Sequence, residues 1–315
     1  MKILVTGGAG FVGSHLVRRT LALGHDVVVL DNLSTGRREN LEEVAAHLEF
    51  FEGDITIPAD VEQAIAGCDA VLHQAALPSV PRSIADPAAS HNVNATGTLN
   101  VLIAARDAGV KRFVFASSSS VYGSTPGLPK QEEMPTLPLS PYAVAKSAAE
   151  NYCRSFHGLY GLEAVALRYF NVFGPRQDPA SEYAAVVPRF IQAFRASTPP
   201  TIYGDGETSR DFTYVENVVD ANMSALEAEA APGNVYNIAC GERITLNQLA
   251  NGLREQLGTD IEPVHGPARP GEVRHSLADV SRARKDLGYE PRIGLTEGLH
   301  RTVTHFTAEP MKVSA

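Results

Sequence analysis

Apolar residues in the first half of the chain come in short unbroken runs. Between the runs lie longer stretches in which they recur every three or four positions. The runs Ile3–Thr6, Val27–Leu30, Leu48–Phe51, Ala70–His73, Phe113–Ala116 and Ala164–Leu167 predict strands. Unbroken runs such as Val27-Val28-Val29-Leu30 suit strands covered on both faces. Val12–Ala22, Thr96–Ala108 and Tyr142–His157 predict helices; in the last, Tyr142, Ala145, Ala149, Tyr152 and Cys153 follow the helical period. This alternation predicts an α/β fold, a parallel sheet wrapped by helices.

After about residue 170 the texture changes. Pro175, Pro179, Pro199-Pro200, Gly204, Gly206, Pro267 and Pro270-Gly271 punctuate shorter elements, which predicts a smaller, loop-rich lobe. The 216–239 stretch is helical and then strand-like, and is expected to return to the main sheet. The expected division is therefore 1–170 with about 212–240 in one domain, and 171–211 with 241–315 in the other.

The first run ends in Gly7-Gly8-Ala9-Gly10-Phe11-Val12-Gly13 and opens a helix. Gly7 permits a tight turn, Gly10 lets backbone N–H groups approach a pyrophosphate, and Gly13 allows close helix–strand packing. The helix N-terminus adds positive potential for the phosphates. Asp31 ends the second run, where its carboxylate would accept hydrogen bonds from ribose hydroxyls and repel a 2′-phosphate. NAD is thus expected over NADP, and the sheet is expected to be a Rossmann-type doubly wound one. Asp54-Ile55 and His73-Gln74-Ala75-Ala76 follow later strands, at the edge where open α/β sheets bind ligands. His73 reads equally as a buried, satisfied histidine.

Tyr142 and Lys146 share one helix face at i, i+4, and the run Ser117-Ser118-Ser119-Ser120 leaves the fifth strand at the same edge as the cofactor. Lowering a phenol by about three pKa units takes roughly 4 kcal/mol of phenolate stabilisation. A lysine ammonium and a nicotinamide cation are sources of it. A serine hydroxyl on the same substrate oxygen completes a site for proton and hydride transfer. Spacing alone leaves open which serine acts.

Composition narrows the partners. At 315 residues the chain buries a large core without staples, and Lys+Arg 27 against Asp+Glu 36 leaves a net charge of −9. With no basic block, nucleic acid and anionic membranes are not expected ligands. Cys68, Cys153 and Cys240 are sparse and have no metal-ligand spacing, so reduced thiols, no metal site and a cytoplasmic setting are expected. No apolar run approaches the roughly 18 residues of a membrane span.

With TGGAGFVGSH, Asp31-Asn32, GDI, HQAA, SSSSVYG, SPYAVAK, LRYFNVFGPRQDP, RDFTYV, NIACG and RPGE, the chain resembles the extended short-chain dehydrogenase/reductases. Within them it is similar to the UDP-hexose 4-epimerases, above all the UDP-N-acetylglucosamine 4-epimerase group. The resemblance implies Ser118, Tyr142 and Lys146 as the catalytic residues. It implies cofactor contacts from Gly7, Gly10, Phe11, Val12, Gly13, Asp31, Asn32, Ser34, Thr35, Gly36, Asp54, Ile55, Gln74, Ala75, Ala76, Asn94, Tyr142, Lys146 and Tyr169. On the UDP-sugar it implies Ser79, Ser118, Ser120, Asn171, Gln177, Ala185, Val187, Tyr203, Arg210, Arg269, Glu272 and Ser276. Arg210 and Arg269 match diphosphate-holding arginines, and Glu272 a carboxylate on the uridine ribose. Ser276 falls where members restricted to glucose and galactose carry Tyr, which leaves room for an acetamido group.

The proton donors of the related dehydratases and decarboxylases are replaced here by Ser119 and Ser120. Asn171 and Asp178 stand where UDP-glucuronate epimerases carry Thr and Arg. A homodimer with the Thr96–Ala108 and Tyr142–His157 helices at its seam is also implied. The alternatives are an epimerase of another nucleotide sugar such as UDP-glucuronate, an NAD-linked nucleotide-sugar oxidoreductase, and an NAD-sensing binding protein.

Overall fold

A computed structural model describes residues 1–179, 184–268 and 273–308. Six strands form where the apolar runs predict them: β1 (Lys2–Thr6), β2 (Asp26–Asp31), β3 (Glu49–Glu52), β4 (Ala70–His73), β5 (Arg112–Ser118) and β6 (Glu163–Tyr169). The 216–239 stretch forms the Val215–Glu227 helix and then a seventh strand, Val235–Ile238, parallel to β6. Edge to edge the order is Val235–Ile238, β6, β5, β4, β1, β2, β3, with every pairing parallel.

Neighbouring residues of one strand enter different cores. Ile3, Val5, Val27 and Val29 pack on one side of the sheet, and Leu4, Val28 and Leu30 on the other. Both faces are covered by helices, which is why the runs are unbroken instead of alternating. A third core gathers Phe173, Phe190, Phe212, Leu249, Leu253 and Leu299, all from the part of the chain after residue 170.

The helix carrying Tyr142 and Lys146 runs over Pro141–Tyr160. Ser140 caps its start by accepting from Ala143 N at 3.2 Å, and Gly161 ends it at φ 72°. The helix predicted from Thr96 begins instead at Thr98, after a wider π-helical turn over Asn92–Gly97. Thr98 Oγ1 donates to Asn94 O at 2.9 Å and so competes for a carbonyl that an α-turn would use. Among the described residues no helix is long and apolar enough to cross a membrane, and all three cysteines are unpaired thiols.

His73 is fully buried, and both ring nitrogens are engaged, Nδ1 with Thr6 Oγ1 at 2.6 Å and Nε2 with Thr98 Oγ1 at 3.0 Å. It is a satisfied core histidine. Burial pushes its pKa down to about 3, with the nearby Lys146 charge acting in the same direction. Between that value and the ordinary 6.5, the unfolded chain binds a proton that the folded one refuses. Stability is therefore lost as pH falls below 6.5. His73→Gln should flatten the acid limb by at most about 1.4 kcal/mol per pH unit in urea titrations between pH 6 and 4. An unchanged slope would show that His73 does not carry this dependence.

Candidate active site

The strand order reverses between β1 and β4, and a groove opens there at the carboxyl ends of the strands. Its floor is the glycine turn. Gly7 takes φ 68°, and a Cβ on it would come within 2.6 Å of Ala75 N. A Cβ on Gly13 would lie 2.0 Å from Gly7 O, so helix and strand touch backbone to backbone. The Phe11–Ala22 helix starts at Gly10 without a side-chain cap, which leaves its first N–H groups to a ligand. These features fit a dinucleotide pyrophosphate.

Asp31 lies at the groove wall, where its two carboxylate oxygens accept from Ala9 N at 2.9 Å and Leu33 N at 2.8 Å. Each oxygen keeps a lone pair for a ribose hydroxyl. Asn32 Nδ2 donates to Asp54 Oδ2 at 2.8 Å and joins the loops after β2 and β3. Every residue expected at the cofactor lines this groove except two. Gly36 stands behind Asp31, where a Cβ would press on the carboxylate at 2.9 Å. Asn94 is the other. Its buried amide accepts from Leu77 N and donates to Leu77 O, both at 3.0 Å, so it braces the loop after β4 from behind.

Lys146 and Tyr142 line the far end of the groove. Lys146 is buried, and its Nζ donates to Ala116 O at 2.8 Å. Burial lowers its pKa to about 8. The serine run sorts itself by partner. Ser117 is buried and donates to Glu150, while Ser118 faces the Tyr142 hydroxyl. Ser118 Oγ accepts from Ser120 N at 3.2 Å and from Ser120 Oγ at 2.9 Å, which leaves its own proton for a ligand oxygen.

Burial pushes Tyr142 up to about 12, with Ser118 pulling the other way. The stabilisation needed to ionise it near pH 7 is thus larger than a solution phenol requires, about 7 kcal/mol.

A second cavity lies in the part of the chain after residue 170. Asn171, Ala185, Val187, Tyr203 and Arg210, all expected at the sugar nucleotide, line it together. Gln177 donates to Val172 O at 3.1 Å, and its Oε1 is buried without a partner among the described residues. Ser276 N donates to Ser209 O at 3.0 Å, which places it next to Arg210. Ser79 takes φ 99° and caps the Val80–Ala85 helix through Arg82 N at 3.3 Å. Arg269 and Glu272 lie outside the described residues.

Several wall residues escaped the sequence reading. Pro78, Val93 and Ala116 line the groove, and Arg189, Phe190 and Phe212 line the second cavity. Ala116 immediately precedes the serine run, and that place at a strand end was the available signal. Asn222 is less legible. From the Val215–Glu227 helix it donates to Tyr169 Oη at 2.8 Å and accepts from Gln74 Nε2 at 3.3 Å. Nothing local in the sequence links those three positions.

Comparison with known proteins agrees with this geometry. The chain is 42% identical over 311 residues to a UDP-glucose 4-epimerase of Mycolicibacterium smegmatis, covering 97% of this chain and 98% of that one. It superposes at a TM-score of 0.93 on a UDP-N-acetylglucosamine 4-epimerase of Methanobrevibacter ruminantium in complex with UDP-N-acetylmuramic acid, with 42% identity and 98% of each chain covered. A UDP-glucose 4-epimerase of Thermus thermophilus in complex with NAD matches at 0.88 and 40% identity, covering 98% of this chain and 99% of that one. The model of the NAD dependent epimerase/dehydratase family matches residues 3–239. That span takes in the glycine turn, the serine run, the Tyr-Lys helix and the returning strand, and it is to this family that the chain belongs.

Proposed function

We propose that the chain is an NAD-dependent 4-epimerase of UDP-N-acetylhexosamines. It interconverts UDP-GlcNAc and UDP-GalNAc through a transient 4-keto sugar and also accepts UDP-glucose and UDP-galactose. At the coarser level it is an isomerase of UDP-sugars, as its near-full-length relatives are named. The observation that carries the reading is the Ser118–Tyr142–Lys146 cluster, whose Tyr142 and Lys146 line the dinucleotide groove.

The glycine turn would hold the NAD pyrophosphate, Asp31 and Asn32 the adenosine ribose, and Lys146 the nicotinamide ribose. Bound NAD would supply a hydride acceptor and donor for C4 and a positive charge beside the phenol. Tyr142 Oη takes the proton of the 4-hydroxyl and later returns it. Ser118 donates to the same sugar oxygen and so holds O4 in line with Tyr142. Lys146, protonated, favours the phenolate.

The third core supports a substrate lobe built from 171–211 and 241–315, with 1–170 and about 212–240 forming the cofactor domain; Phe212, Tyr214 and Val215, at the start of that returning stretch, pack into the third core and join the two. The unpaired thiols suit a cytoplasmic setting. A homodimer is supported by apolar side chains exposed on the Thr98–Asp107 and Pro141–Tyr160 helices, among them Ile103, Val144 at 51% and Leu159 at 73%.

The test is incubation with UDP-GlcNAc, UDP-glucose and UDP-glucuronate, with products read by NMR and NADH by absorbance. C4 inversion without net NADH is expected; accumulation of NADH would make the protein an oxidoreductase. The acetamido preference rests on the small Ser276. Ser276→Tyr should cut kcat/KM for UDP-GlcNAc about 10–200-fold and spare UDP-glucose. An unchanged ratio of the two would remove the preference.

A further inference from the structure

Three side chains of the Pro141–Tyr160 helix, each one turn apart, meet three consecutive residues at the end of β5. Tyr142 faces Ser118, Lys146 Nζ donates to Ala116 O, and Ser117 Oγ donates to Glu150. The mechanism above uses the first two contacts and leaves the third. Glu150 is only 6% exposed, and Arg168 grips it with two bonds, Nε to Oε1 at 2.9 Å and Nη2 to Oε2 at 2.8 Å. Arg168 lies on β6 in register with Ser117, and its guanidinium stacks 4.6 Å from the centre of the Tyr122 ring, just beyond the serine run.

We propose that Glu150 is a positioning residue of the active site: held by Arg168, it fixes the Ser117–Ser118 backbone against the helix and keeps the Lys146 ammonium in place and charged. This rests on the roles of Ser118, Tyr142 and Lys146 given under the proposed function. Ser117 and Ser118 are chain neighbours, so a hydrogen bond that fixes one orients the other. The second action is electrostatic.

Lys146 is surrounded by Tyr142, Cys153 and Glu150 on its own helix. From β5 it meets the Ala116 carbonyl, and the Phe115 ring centre lies 4.7 Å from its Nζ. From β4 it meets His73, while Arg168 of β6 is held by Glu150. Burial lowers its pKa, and Cys153 and Glu150 oppose that. Burial drives the Cys153 thiol far up and His73 down to about 3, so both are neutral at working pH. Among the described residues Glu150 is thus the carboxylate that acts on this ammonium.

The test uses Glu150→Gln and Ser117→Ala in the purified enzyme. Lys146 titration is followed through the Cε shift of 13C-lysine, beside kcat and KM. In Glu150→Gln the Lys146 midpoint should fall by about one pH unit. Its kcat should fall about tenfold or more with KM within about twofold, and the alkaline limb of activity should move to lower pH. Ser117→Ala should lower kcat severalfold and leave the Lys146 midpoint unmoved.

Should Glu150→Gln fail to fold, with Arg168 left as an unpaired buried charge, the double Glu150→Gln/Arg168→Gln variant should show the same loss of kcat with a smaller fall in the Lys146 midpoint, because the opposite charge of Arg168 leaves with Glu150. A folded variant with unchanged midpoint and kcat within about twofold of wild type overturns the proposal. Absence of C4 inversion in the wild type would instead overturn the functional reading. The Lys146 titration needs no substrate and would still decide the role of Glu150.

Discussion

Tyr142→Phe is expected to lower turnover by about 10³-fold or more while leaving the bound cofactor in place. The substitution removes one oxygen and keeps the ring that walls the groove beside Lys146, whose Nζ is 6.0 Å from the ring centre. Among the described residues neither neighbour in the cluster can take its part. Ser118 already accepts from two donors of Ser120 and serves as a donor. Lys146, with a pKa of about 8, is mostly charged at neutral pH and has no lone pair to offer. Single-turnover and steady-state rates on the variant, together with NAD released on denaturation, check both halves. Turnover within tenfold of wild type would exclude Tyr142 as the proton acceptor.

The second large effect belongs to the glycine turn. Gly13→Ala places a methyl 2.0 Å from Gly7 O and 2.8 Å from Gly8 Cα. Those are backbone atoms of the turn itself, so the helix must lift off β1. The N–H groups aimed at the pyrophosphate lift with it. We expect affinity for NAD to fall about 100-fold or more, and the purified protein to carry little cofactor. Gly10→Ala is the contrast, because there the added carbon meets Gly7 O at 3.1 Å and nothing else within 4 Å. Calorimetric titration of cofactor-free protein with NAD measures both. Stoichiometric retention in Gly13→Ala would refute the close-packing argument.

Much of this was legible because the physics is local. Val27-Val28-Val29-Leu30 can serve a sheet covered on both faces, and the glycines at 7, 10 and 13 can serve a turn that admits phosphate. What was not legible depends on register. Ser117 and Ser118 look alike in sequence, and only the pairing of Ser117 with Arg168, and Glu150 behind both, separates their tasks. Nor does the sequence report that Asn94, in the π-helical turn at 92–97, bonds Leu77 of the loop after β4 while its neighbour Val93 lines the groove. A spacing of four places the Tyr142 phenol near an ammonium, but it does not report how much water burial removes, and burial pushes its pKa up.

The late return of Val235–Ile238 to the sheet bears on how the chain is made. During synthesis β6 is complete while its partner strand is still roughly 65 residues from being translated, about 3–13 s at ordinary elongation rates. Through that interval one edge of β6 has β5 beside it, and the other presents bare N–H and C=O groups. The nascent protein therefore passes through a stage in which a stranger's strand could take the empty place. Chaperone capture, or slow codons just before that stretch, would act on this open edge more than on any later step.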